Sequence, residues 1–283
     1  NAGKSTLLNL VTGEKLAIVT PKAQTTRNAI RGIRMRGDSQ LIFVDTPGIF
    51  SAKHRFEKAM VNAAWSGAKD ADVLLLLVDA KKGVDDRVGF LLERLGEYHQ
   101  PKALLLNKVD ITPKTSLLEL AAQLNDKAKF DQTFMISAAK GDGMGDVLDW
   151  LEPRVPAGPH LFPEDQLSDI PQRFMAAEVT REKLFFRLQE ELPYSVSVDT
   201  ELWQERADGS VRINQIIYVE REAHKKIVLG KQGQQVKEIG QSARLEISKM
   251  LGCPVHLFLF VKVKPDWKES REFYETIGLE FKP

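Results

Sequence analysis

Cysteine is almost absent from these 283 residues: Cys253 stands alone, which excludes an internal disulfide and suits a reducing compartment. Its apolar surroundings, Leu251 and Pro254-Val255, make it read as a buried thiol rather than a nucleophile. Histidine is sparse, and the five at 54, 99, 160, 224 and 256 show no metal-ligand spacing. Long apolar runs are missing too. The longest, 73–78 and 103–106, fall far short of the ~18 residues that a membrane span needs. Charge of either sign is not in excess: the net value is +1, so a charged partner must be met by a local patch. There is no internal repeat or low-complexity segment, and the length suits about two domains, each able to bury its own core.

What is present is an alternation. Short apolar runs at 41–44, 73–78, 103–106 and 133–136 predict strands, too short and too continuously apolar for surface helices. Between them, 55–69, 85–98 and 114–127 predict helices. Such an order specifies an α/β doubly wound parallel sheet. The segment before Leu41 is expected to hairpin into the next strand through Gly37-Asp38. The prolines of Glu152-Pro153-Arg154-Val155-Pro156-Ala157-Gly158-Pro159 and Pro163 exclude helix interior and central strand, predicting a linker. Beyond it the pattern gives a helix at 172–191 closed by Pro193, strands at 194–203 and 211–220 joined by Ala207-Asp208-Gly209, and a short helix to Leu229. A helix at 234–251 and a strand at 255–263 complete it. The expected division is 1–152, a linker over 153–171, and 172–283.

Four stretches carry chemistry. The chain opens on Asn1-Ala2-Gly3-Lys4-Ser5-Thr6, the second half of a phosphate loop G-x-x-x-x-G-K-[ST]; the loop's first glycine and the strand before it are expected to be missing. Gly3 lets backbone pass close to phosphate, Lys4 would bridge the outer phosphates, and Ser5 would ligate Mg²⁺ at a helix start that favours anions. Alone, such a tripeptide is a common helix start. Asp45-Thr46-Pro47-Gly48 follows the strand at 41–44, where a carboxylate would meet a phosphate-bound Mg²⁺ and the Gly48 N–H the γ-phosphate. Asn107-Lys108-Val109-Asp110 follows 103–106; Asp110 can accept two hydrogen bonds from guanine N1 and N2, which adenine cannot offer, and an unpaired buried acceptor costs ~1–3 kcal/mol. Ser137-Ala138-Ala139 follows 133–136 and would bring a backbone N–H to guanine O6. Each has a bland alternative as a turn, but three lie at strand ends, where ligands of open α/β sheets bind.

Taken together these residues resemble the signature set of translation-factor-like P-loop GTPases, and Lys22-Ala23-Gln24-Thr25-Thr26-Arg27 resembles the first switch loop of the Era family. The resemblance implies a GTP hydrolase using GTP or GDP and Mg²⁺. Ser5, Thr26 and Asp45 are the implied metal ligands, with Thr25 the second choice. Asn1, Ala2, Gly3, Lys4, Ser5, Thr6, Asp45, Thr46, Pro47, Gly48, Ile49, Asn107, Lys108, Val109, Asp110, Ser137, Ala138 and Ala139 are the implied nucleotide contacts. Lys4, Asn1 and Gly48 are the implied catalytic group. Ile49 stands where Ras-like GTPases carry a water-orienting glutamine, and an aliphatic side chain cannot orient water. The resemblance offers K⁺, bound with the help of Asn1, as a compensating charge.

Gly230-Lys231-Gln232-Gly233 sits between two helical stretches, like the GxxG loop of a KH domain, where glycines let backbone lie against a sugar-phosphate chain. From 221 to 250 there are seven Lys or Arg against three Glu, a locally basic face. Val236, Ile239, Ala243, Ile247 and Met250 repeat at helical spacing and are expected in the core. The order helix, strand, strand, helix, GxxG, helix, strand resembles the α+β type II KH domain that follows the GTPase domain in Era. By resemblance, Lys225, Lys226, Gly230, Lys231, Gln232, Gly233 and Lys237 would bind RNA. The implied function is assembly of the small ribosomal subunit, through the 3′ end of its RNA and the 30S-type particle. A cytoplasmic monomer, with peripheral contact to the inner membrane, is the implied setting. A GTPase of tRNA modification and a nucleotide-binding RNA scaffold without turnover are the alternatives.

Overall fold

The computed structural model describes residues 1–22, 25–50, 52 and 54–281. Ala23 and Gln24 of the expected switch loop therefore lie outside the described residues. Two compact units emerge, one from Asn1–Ala17, Ala23–Asp169 and Ile277–Pro283, the other from Ile18–Lys22 and Ile170–Thr276.

In the first unit, helix α1 (Lys4–Thr12) precedes an antiparallel hairpin of β1 (Ile30–Arg36) and β2 (Ser39–Asp45), turned by Gly37 at φ 54°. Then come α2 (Arg55–Asp70), β3 (Leu74–Asp79), α3 (Asp86–Leu95), β4 (Lys102–Asn107), α4 (Lys114–Lys127), β5 (Gln132–Ile136) and α5 (Met144–Leu151). Strands β3, β4 and β5 pair in parallel in that order. The centre of the unit is β4, where Ala103, Leu104, Leu105 and Leu106 are wholly buried. Strand residues alternate between faces, so Ala103 and Leu105 pack with Leu7 and Val11 of α1 and Val147, Leu148 and Leu151 of α5. Leu104 and Leu106 pack instead with Leu92 and Leu95 of α3 and Leu117, Leu120 and Leu124 of α4. Each buried leucine contributes about 1.5–3 kcal/mol, which explains why this run has no polar residue until Asn107 at its tip. Helix α3 is capped by Asp85, whose Oδ1 accepts the Val88 N–H at 2.9 Å, and it ends before Gly96 rather than at 98.

The proline-rich stretch expected as a linker is pinned along the hairpin up to Asp169. Gln40 Nε2 donates to the Phe162 carbonyl at 2.8 Å, and its Oε1 accepts the Leu161 and Phe162 N–H groups at 2.9 and 3.0 Å. The Leu167 carbonyl accepts the Ile33 N–H at 2.8 Å, and Arg31 pairs with Asp169 at 2.6 Å. Polar anchors on β1 and β2 thus hold a segment that its prolines only bar from regular structure.

The second unit holds α6 (Gln172–Arg187), β6 (Val196–Glu205), β7 (Val211–Val219), α7 (Glu222–Leu229), α8 (Gln234–Leu251), β8 (Val255–Val263) and α9 (Arg271–Thr276). Strand β7 is central, antiparallel to β6 and parallel to β8. Its Ile213, Ile217 and Val219 are buried among side chains of α6, α7 and α8. Helix α6 stops at Arg187, short of 191, because Leu188 turns extended and is buried, and Glu190 then adopts φ 52°. On α8, Ile239, Ala243 and Ile247 are buried and Val236 partly so, but Met250 is exposed and Leu251 packs in its place. Cys253 is half-buried against the same cluster.

Candidate functional site

The start of α1 and the end of β2 meet in a cluster of oxygens. Ser5 Oγ donates to Asp45 Oδ2 at 2.7 Å, Thr26 Oγ1 donates to the same oxygen at 3.2 Å, and the two hydroxyls are 3.0 Å apart. Asp45 is buried, and its other oxygen, Oδ1, has no hydrogen-bond partner among the described residues. Burial pushes the Asp45 carboxyl above its usual range, against the opposing pull of Lys4 and the two hydroxyl donors. A buried carboxylate with a spare oxygen beside two hydroxyls fits a hard cation such as Mg²⁺. Among the described residues no group of three or more His, Cys, Asp or Glu could cage a metal, so such an ion needs phosphate and water for its other ligands.

Gly3 has φ 102°, and a Cβ on it would come within 2.4 Å of Asn107 Nδ2. Only glycine fits this approach between loop and strand tip. Thr6 and Ala2 are half-buried nearby in sequence. Beyond Asp45, Thr46 is half-buried and Pro47 buried. Gly48 and Ile49 continue without regular structure, and a Cβ on Gly48 would meet nothing within 4 Å.

At the tip of β4, buried Asn107 joins three motifs. Its Nδ2 donates to the Ala2 carbonyl at 2.7 Å and its Oδ1 accepts the Ala138 N–H at 2.9 Å. Lys108 is left-handed at φ 70° and sends its ammonium to Asp79 Oδ2 at 2.6 Å. Val109 and Asp110 form a 3₁₀ turn. Asp110 Oδ1 accepts the Ser137 hydroxyl at 2.9 Å, and Lys140 Nζ lies 3.9 Å from Oδ2. Ser137 and Ala138 are buried while Ala139 is exposed. Asp79 escapes a motif search because it belongs to no short signature. The available signal is that β3, like β4, ends in a polar residue after an apolar run, and the two ends are in register.

In the second unit Gly230 (φ 71°, ψ −178°), Gln232 (φ 53°) and Gly233 (φ 75°) make the turn from α7 into α8. A Cβ on Gly230 would come within 2.6 Å of Gln235 Cβ, whereas Gly233 has open space around it. Lys231, Gln232, Lys226 and Lys237 are exposed and Lys225 is half-buried. Among the described residues none of these four lysines is ion-paired within the protein, whereas the neighbouring Glu238 is taken by Arg187 at 2.9 Å. The loop therefore presents backbone and unneutralised cations together, the arrangement that suits a phosphate chain.

Comparison with known proteins places these sites in context. Residues 1–108 match the model of the 50S ribosome-binding GTPase family, and residues 191–268 match that of the KH domain. The chain is 55% identical over 281 residues to a GTPase Era of Rhizobium meliloti, covering 99% of this chain and 90% of that protein. It is likewise 55% identical to a GTPase Era of Brucella suis, covering 99% and 90%. A solved structure of Aquifex aeolicus Era bound to GDP·AlF4⁻ superposes with a TM-score of 0.93 at 37% identity, covering 98% of this chain and 95% of the other. A structure of Era in complex with MgGDPNP and nucleotides 1506–1542 of 16S ribosomal RNA superposes equally, with TM-score 0.93, 37% identity and the same coverage.

Proposed function

The chain belongs to the Era family of GTPases, and from that premise we propose that it is a GTP-switched RNA-binding factor in assembly of the small ribosomal subunit. The observation that carries the switch is the oxygen cluster of Ser5, Thr26 and Asp45, which gathers three separated stretches of chain around one candidate cation position. The relative solved with MgGDPNP and 16S ribosomal RNA supports the same nucleotide, metal and RNA class for this chain.

In this reading Lys4 would reach the outer phosphates, and Ser5, Thr26 and Asp45 would hold Mg²⁺. When bound, Mg²⁺ neutralises charge on the β- and γ-phosphate oxygens. Gly48 offers its N–H to the γ-phosphate across the open space around it. Asp110, steadied by Ser137, accepts from guanine, and Asn107 fixes the phosphate loop to the guanine end. Ile49 leaves the attacking water without a protein acceptor at that position, and K⁺ held with the help of Asn1 is the compensating charge that the family resemblance offers. Lys231 and its glycine neighbours, with Lys225, Lys226 and Lys237, take the single-stranded 3′ end of small-subunit RNA. Such a partner is met in the cytoplasm, where we place the protein as a monomer; no described helix is long and apolar enough to cross a membrane.

The test measures GTP turnover, in KCl and in NaCl, and affinity for a 3′-terminal small-subunit RNA oligonucleotide with GMPPNP or GDP bound. We expect turnover favoured by K⁺ and tighter RNA binding in the triphosphate state. RNA binding without turnover would turn the reading to a scaffold. Equal RNA affinity in both nucleotide states would remove the switch.

A further inference from the structure

The resemblance and the motifs leave one buried charge at the nucleotide end without an assigned task. Asp79 closes β3, its side chain 8% exposed, directly opposite Asn107 in the β3–β4 register. Its carbonyl accepts the N–H groups of Lys82 and Gly83 at 3.0 and 3.1 Å, and the next residue, Ala80, donates to the Asn107 carbonyl at 2.9 Å. Of its carboxylate oxygens, Oδ1 accepts the Lys81 N–H at 3.1 Å and Oδ2 takes the Lys108 ammonium at 2.6 Å. The carboxylate is thus fixed by its own turn before it meets the lysine.

Lys108 is held from both sides. Its backbone is left-handed, which only a few per cent of non-glycine residues adopt, and its far end is tied back to the neighbouring strand. The four-carbon stem must therefore span from the tip of β4 to the tip of β3, one-third exposed, two residues from Asp110. A stem pinned at both ends is an apolar strip already ordered before a flat base arrives, so its rotamer entropy is not lost on binding.

We infer that Asp79 is a positioning residue for guanine: it holds Lys108 as a preformed wall for the base. This inference rests on the guanine-nucleotide reading above. It concerns the base alone, so the phosphate end supplies an internal control.

The experiment compares Asp79→Asn, Lys108→Met and the double variant with the parent, using the affinity and dissociation rate of a fluorescent GDP and competition by Mg²⁺ pyrophosphate. Asp79→Asn keeps the shape and the Lys81 contact. We expect GDP to leave about tenfold faster, pyrophosphate affinity to hold within twofold, and the double variant to be no worse than either single one. The double variant also leaves no unpaired buried charge, so it gives a folded comparison if a single variant does not fold. Additive losses in the double variant, equal losses of GDP and pyrophosphate, or GDP dissociation unchanged by Asp79→Asn would each overturn the assignment alone. Failure of the parent to bind GDP would overturn the nucleotide reading and this inference with it.

Discussion

Asn107 donates its side-chain amide to the carbonyl of Ala2 at 2.7 Å, and this one bond fastens the start of α1 to the strand tip that carries Asp110, the proposed guanine acceptor. The neighbouring glycine makes the approach possible, since any side chain at Gly3 would meet the same amide nitrogen. Gly3→Ala is therefore expected to disturb both ends of the site. GDP and GTP affinities should each fall at least tenfold by titration of a fluorescent nucleotide, while RNA binding by the second unit is kept. An alanine variant with parental nucleotide affinity would mean that this contact does not shape the site.

The Ser137 hydroxyl supports the Asp110 carboxylate at 2.9 Å. A hydrogen bond to a charged group contributes about 1.5–3 kcal/mol, so Ser137→Ala should weaken guanine nucleotides about tenfold or more without admitting adenine. Asp110→Asn should go further and reverse preference towards xanthosine nucleotides, which present an acceptor where guanine has a donor. Competition between GDP and XDP reads the outcome; unchanged preference would refute the filter.

Asp45 gives a pH-dependent prediction. Burial raises its carboxyl above the usual range, so the metal-free folded protein binds a proton there more tightly than the unfolded chain does. Stability from this group is present below the ordinary carboxylate value and is lost as pH rises through the raised one. Asp45→Asn removes that loss. The variant should melt a few degrees above the parent near neutral pH in EDTA, with the gap closing towards acidic pH, and Mg²⁺ should no longer tighten GTP binding. A lower melting temperature for the variant in EDTA at neutral pH would contradict the account.

For the second unit, Lys231→Asp combined with Gly233→Asp places two carboxylates where the backbone would face phosphate. Space around Gly233 is open, so the cost is charge and a left-handed φ rather than collision. RNA binding should fall below detection in gel shifts while GDP affinity remains at the parental value. Loss of both would indicate misfolding instead of a lost contact.

Much of this site was legible because it is written in strand ends. Once the run at 103–106 is recognised as a strand buried on both faces, the first polar residue after it must stand at the sheet's edge, and Asn107 does so. The glycines at 230 and 233 mark the turn between two helices in the sequence, and both take positive φ there. What was not legible depends on pairing across the fold. Asp79 acquires meaning only when β3 and β4 are set in register. The prolines at 153–163 forbid helix but say nothing of Gln40, whose amide holds that stretch against the hairpin. Met250 and Leu251 stand three and four residues after buried Ile247, so helical spacing admits either, and Leu251 is the one that packs.

The second unit is not a continuous piece of polypeptide, because Ile18–Lys22 belongs to it. Within it the Val19 N–H donates at 2.9 Å to Glu182, which is 3% exposed, and Lys22 reaches the Leu188 carbonyl. A clone begun at residue 170 to isolate the RNA-binding half would excise these donors and lose the hydrogen bonds they give to Glu182 and to the Leu188 carbonyl. Such a fragment should be harder to express and quicker to unfold than the same residues within the parent.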